Sequence, residues 1–151
     1  MGAPKKILKS ISKSEFLGSF SGSTASIYLD ILLKIAAPIN KLTKLLIVQG
    51  NFALDLAAGY VTQEYTSLDL ITLKSDIPIL KELFHKANFG ISDSNSSFCA
   101  HTYVEDIKKD IYINVEGVNI SPDAEFIWER KIDDIPVQFY SPKKNNHNVI
   151  T

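Results

Sequence analysis

The sequence predicts an α/β (α+β) fold: a mixed β-sheet with helices packed on it, an N-terminal helix and a C-terminal β-hairpin. Three observations carry this. Residues 45–70 run from an apolar strand through a glycine turn and a short helix into a second strand. Residues 25–37 and 80–87 carry apolar side chains at helical spacing. Beyond Gly90 the pattern changes to short strands separated by turn residues.

Taken in order, residues 1–24 are rich in Ser, Lys and Gly and read as a flexible N-terminal segment, with a weak helix around residues 6–16. Ile27, Ile31 and Ile35 form one helical stripe; Ser23 or Thr24 caps it, and Pro38 is expected to end it. Leu45-Leu46-Ile47-Val48 reads as a strand covered on both faces. Asn51 to Ala58 follows as a helix, capped by Asn51 and closed by Gly59. Residues 67–73 form the next strand. Ser75 or Asp76 then caps a helix with Leu80, Leu83, Phe84 and Ala87 on one face. Residues 97–104 and 109–115 are strands, and residues 125–131 and 135–140 make a hairpin around Asp133-Asp134. Residues 25–142 are thus one domain, and 143–151 a polar tail.

Composition narrows the function classes. Sixteen Lys and Arg against 17 Asp and Glu give a net charge of −1, which argues against nucleic acid as a partner. Asp30 and Lys34 interrupt the apolar run 27–35, so no membrane span is expected. Cys99 is the one cysteine, so no internal disulfide forms and a cytoplasmic location is expected. The surroundings of Cys99 read as a strand interior, and a structural thiol is favoured over a nucleophile. His85 and His101 lack metal-ligand spacing. Trp128, Phe126 and Phe139 read as core packing rather than an exposed platform.

Gly50 at a strand end, opening the Asn51 helix, could let backbone N–H groups approach phosphate. Asp69 stands between Leu68 and Leu70, an unusual strand position for a charge; a site residue and a structural ion pair are equally consistent with it. Asp110, Tyr112 and Asn114 share one strand face by period two. Asp110 is therefore expected to face Asp69 across the sheet, although Lys108 and Lys109 beside it also suit a solvated strand start.

Residues 48–59, Val-Gln-Gly-Asn-Phe-Ala-Leu-Asp-Leu-Ala-Ala-Gly, resemble the glycine-turn-plus-helix signature of the nucleotidyltransferase superfamily, above all its small lincosamide and aminoglycoside nucleotidyltransferases. The stretch from Gly59 to Leu70 is similar to their Thr-Arg-x-His-x-Asp-hydrophobic-Asp segment. Asp110-Ile111-Tyr112 is similar to their third-carboxylate strand, and residues 135–142 to the strand before their C-terminal helices. The resemblance implies transfer of a nucleoside monophosphate from a Mg²⁺-bound nucleoside triphosphate to a hydroxyl of a small-molecule acceptor. It implies Asp69 and Asp110 as catalytic and metal residues, and Gln49, Gly50, Asn51 and Ser67 as nucleotide-binding residues.

The departures bear on activity. Gln49 replaces the first glycine of the family turn, Gln63 the Arg, Tyr65 the His and Ser67 the first metal carboxylate. A neutral hydroxyl is a weak Mg²⁺ ligand. Impaired or lost catalysis is expected, with Glu64 a weak substitute and Asp55 solvent-exposed. The alternative is a non-catalytic binding or scaffolding protein acting through a homodimer or partner interface. Because the chain stops at Thr151, a second subunit or another protein is expected to complete an acceptor site.

Overall fold

The computed structural model describes residues 4–144. These form four α-helices and one eight-stranded mixed sheet. The strands are β1 (Lys6–Ile7), β2 (Ile47–Gln49), β3 (Leu68–Leu73), β4 (Gly90–Ser94), β5 (Ser97–Val104), β6 (Lys109–Val118), β7 (Ile127–Ile132) and β8 (Ile135–Tyr140). Their spatial order is β1-β7-β8-β2-β3-β6-β5-β4. The helices are α1 (Lys13–Leu17), α2 (Thr24–Lys41), α3 (Asn51–Ala58) and α4 (Ile77–Lys86).

Strand alternation divides the sheet into two unlike faces. Val48, Leu70, Ile113, Phe98 and Phe139 point into the main core, where they meet Leu29, Leu32 and Ile39 of α2, Phe52 and Leu56 of α3, and Leu80 and Phe84 of α4. Their neighbours in sequence point the other way. Ile47, Ile71, Ile127 and Tyr140 form a smaller cluster there, against the partly buried Phe126. Among the described residues none of the four helices α1–α4 packs on that face, which beyond this cluster presents polar side chains such as Gln49, Asp69 and Asn114. No helix among the described residues is long and apolar enough to cross a membrane.

Residues 4–24, expected as a flexible segment, are built into the molecule. β1 pairs in parallel with β7, and Phe16 of α1 is fully buried. Ser12 and Glu15 form a capping box that starts α1. Pro38 lies inside α2 rather than ending it. The lost backbone bond falls at Lys34, whose side is exposed to water, while Ile39 continues the buried stripe beyond the proline. Ser23 occupies the cap position, but its hydroxyl donates to the Phe20 carbonyl. Glu64 accepts from the Thr24 and Ala25 N–H groups instead, at 3.4 and 3.1 Å, and so caps α2 rather than joining a metal site. The β7–β8 turn is as expected: Asp133 and Asp134 both have positive φ, at 50° and 65°. Phe139 is core, while Trp128 and Phe126 are half-buried. The residues 145–151 of the expected polar tail lie outside the described residues.

Candidate small-molecule site on the open sheet face

Helix α3 opens where β2 ends. Gly50, its cap residue, has φ +78° and ψ −155°, a backbone region closed to most L side chains. A Cβ there would stand 3.4 Å from an Asp69 carboxylate oxygen. Gly59 closes the helix in the left-handed region at φ +92°. The Arg130 guanidinium then meets the end of α3, donating to the Leu56 and Ala57 carbonyls at 2.7 and 3.2 Å and to the Lys9 carbonyl at 2.7 Å. Burial pulls the Arg130 pKa down from its ordinary value.

Asp55 is buried, not solvent-exposed. Its carboxylate accepts from the Thr62 N–H at 3.1 Å, the Thr62 hydroxyl at 2.8 Å and the Tyr65 hydroxyl. Burial, and then the Asp55 carboxylate beside it, pushes the Tyr65 phenol far above its usual range. This network fixes the loop between α3 and β3 as one wall of a polar cavity of about 120 Å³, which Asn51, Gln63, Ser67 and Asp69 also line.

One row of register partners crosses the open face: Gln49 on β2, Asp69 on β3, Asn114 on β6 and Cys99 on β5. Asp69 Oδ1 accepts from Asn114 Nδ2 at 2.9 Å and from Ser67 Oγ at 3.3 Å. Gln49, Asp69, Cys99, Asn114 and Glu116 help line a second hollow of about 430 Å³. Cys99 is half-buried on this wall rather than in the strand core. Burial holds its thiol above the ordinary range, with the Asp69 charge adding to it.

The structure thus brings Gln49, Gly50, Asn51, Ser67 and Asp69 together. It does not bring Asp110 to Asp69. The register places Asn114 opposite Asp69, and Asp110 lies four positions earlier on β6, about 13 Å away along the strand. Asp110 instead bonds His101 Nε2 at 3.0 Å, and the His101 ring stacks on Tyr112 with centroids 4.9 Å apart. Asn114 carried a legible signal, since period two puts it on the Asp110 face.

The Mg²⁺ implied by the sequence resemblance does not fit these residues. A hard cation wants several oxygen ligands carrying negative charge. Asp69 has a hydroxyl and an amide as partners, and the second carboxylate is too far away. Among the described residues no group of three or more His, Cys, Asp or Glu side chains is placed to hold a metal ion.

No protein-family model matches the sequence, and no curated protein is significantly similar to it. Solved structures do match its architecture. ANT(2")-Ia in complex with adenylyl-2"-tobramycin aligns with a TM-score of 0.60 at 19% identity, over 76% of this chain and 70% of its own. The lincosamide antibiotic adenylyltransferase LnuA, lincomycin-bound, aligns with a TM-score of 0.60 at 12% identity, over 77% of this chain and 82% of its own. A nucleotidyltransferase candidate from Thermotoga maritima aligns with a TM-score of 0.56 at 13% identity, over 82% of this chain and 83% of its own. At these identities the likeness speaks for the architecture: the chain has the nucleotidyltransferase fold.

Proposed function

We propose that the protein keeps the nucleotidyltransferase fold as a small-molecule binding site and has lost group transfer. The observation that carries this is the isolation of Asp69. No second carboxylate stands in register with it, and Ser67 occupies the position where the resemblance calls for one. Transfer to a hydroxyl needs a metal-bound phosphate and an activated nucleophile, and Asp69, with no carboxylate in register and one oxygen tied to an amide and a hydroxyl, is poorly equipped to supply both. Binding is a smaller demand. The 430 Å³ hollow falls in the range of small-molecule sites; its wall is largely apolar, with Gln49, Asp69, Ser97 and Asn114 as hydrogen-bonding partners for the hydroxyl groups of a ligand. The solved proteins of this fold that carry a tobramycin adduct or lincomycin support such a ligand class.

Incubation with ATP, Mg²⁺ and tobramycin or lincomycin, followed by pyrophosphate detection, tests the loss of transfer. No release above the protein-free rate is expected; release that depends on the protein overturns the proposal. Titration calorimetry with the same two compounds reads the binding. The cytoplasm is the compartment assigned here, and a second copy of the chain is the partner expected to extend the site. Sedimentation measurements test the latter.

A further inference from the structure

We infer that this centre works without a metal ion and turns nucleoside triphosphates away, with the Asn114 amide holding Asp69 where a cation would otherwise sit. This rests on the proposed loss of transfer and adds what the site excludes. In a metal centre, carboxylate oxygens converge on the ion. Here Asp69 Oδ1 already receives two donors, Asn114 Nδ2 and Ser67 Oγ. Asn114 turns its N–H end, a donor with no ligand capacity, towards Asp69, so the arrangement supplies positive hydrogen on the carboxylate.

The surrounding charge points the same way. The two cavities that meet at Asp69 are also lined by Glu116, by Glu64, which caps α2, and by Asp93, which pairs with Lys81 outside the lining, and no Lys, Arg or His is among their described lining residues. A triphosphate brought here without its cation meets charge of its own sign. The amino end of α3, the natural anion seat of the fold, has an Asp69 oxygen beside its cap residue Gly50. The same carboxylate thus stands beside the helix end and on the wall of both cavities.

Mn²⁺ serves as a paramagnetic probe on the full chain. The wild type is expected to leave the free Mn²⁺ resonance signal unchanged. Adenosine is expected to bind at least as tightly as ATP, with no gain on adding Mg²⁺. The double variant Ser67→Asp with Asn114→Asp places two further carboxylates beside Asp69, and at least a tenfold rise in Mn²⁺ affinity is expected, on the order of the effect that even outer partners exert on metal sites. Mn²⁺ binding by the wild type, or tighter binding of ATP than of adenosine, overturns the inference. So does a folded double variant that gains no Mn²⁺ affinity. Should that variant fail to fold, the wild-type measurements decide alone. Mn²⁺ binding without pyrophosphate release removes the metal-free centre and leaves the loss of transfer standing; pyrophosphate release removes the latter.

Discussion

Replacing Asp55 by Ala tests whether the buried network behind α3 holds the binding wall. The carboxylate is 3% exposed and accepts three hydrogen bonds. Its removal leaves the buried Tyr65 hydroxyl without its acceptor, at about 1–3 kcal/mol. Thr62 is exposed, so water replaces the carboxylate for its two donors. Exchanging those two bonds for bonds to water costs about 1 kcal/mol each, below the usual value for a charged acceptor because the Thr62 donors stay solvated. The total is about 3–5 kcal/mol, a large share of a domain stability of about 5–15 kcal/mol. At about 2–4 °C per kcal/mol the melting temperature falls by roughly 10 °C. Asp55→Asn keeps the shape and loses the charge, and about 1–2 kcal/mol is expected. Urea unfolding measures both, and amide hydrogen exchange over residues 59–66 should quicken in the Ala variant. A loss below about 1 kcal/mol for Asp55→Ala would refute the claim that this carboxylate holds the loop.

Gly117→Ala should lose about 1–3 kcal/mol in the same assay, because its Cβ would stand 2.6 Å from the Ser96 carbonyl oxygen and 3.1 Å from Lys74 Cα. Arg130→Met keeps the apolar stem but strands the Leu56, Ala57 and Lys9 carbonyls; about 2–3 kcal/mol is expected, with fraying of α3 visible by hydrogen exchange. The phenols of Tyr28, Tyr65 and Tyr140 are all raised above their ordinary value, chiefly by burial. The folded state holds these protons more tightly than the unfolded one. Stability is therefore intact below the ordinary tyrosine value of about 10 and declines as pH rises beyond it. Urea midpoints across that range check this; Tyr65→Phe should lower the midpoint at neutral pH and soften the alkaline decline.

Local chemistry was readable in the sequence wherever neighbouring residues decide it. The Gly50 turn, the α3 helix with Gly59 at its end and the Asp133-Asp134 hairpin all follow from backbone preferences of a few residues. What escaped depends on long-range register. Period two assigns Asp110 and Asn114 to one face but cannot say which lies opposite Asp69; the β3–β6 ladder does, and it joins segments far apart in the chain. The burial of Asp55 was missed for a similar reason: Thr62 and Tyr65 reach it through a loop whose path the helix pattern does not contain. Pro38 shows packing overriding a local rule, since the burial of Ile39 keeps α2 intact past the proline. The short pairing of β1 left almost no pattern, because two residues cannot display alternation.

That small strand has an outsized consequence for handling the protein. From Lys5 to Ile11 the chain hems the outer border of β7, with N–H groups reaching the Ile127, Glu129 and Lys131 carbonyls at 2.8, 2.8 and 3.1 Å. A shortened chain beginning after Ile11 would lay those acceptors bare along a strand that carries Ile127, Trp128 and Ile132. Such a border recruits strands from other molecules. The leading residues therefore act as a selvedge along that border, and trimming them for crystallisation or display is expected to make the sample stickier.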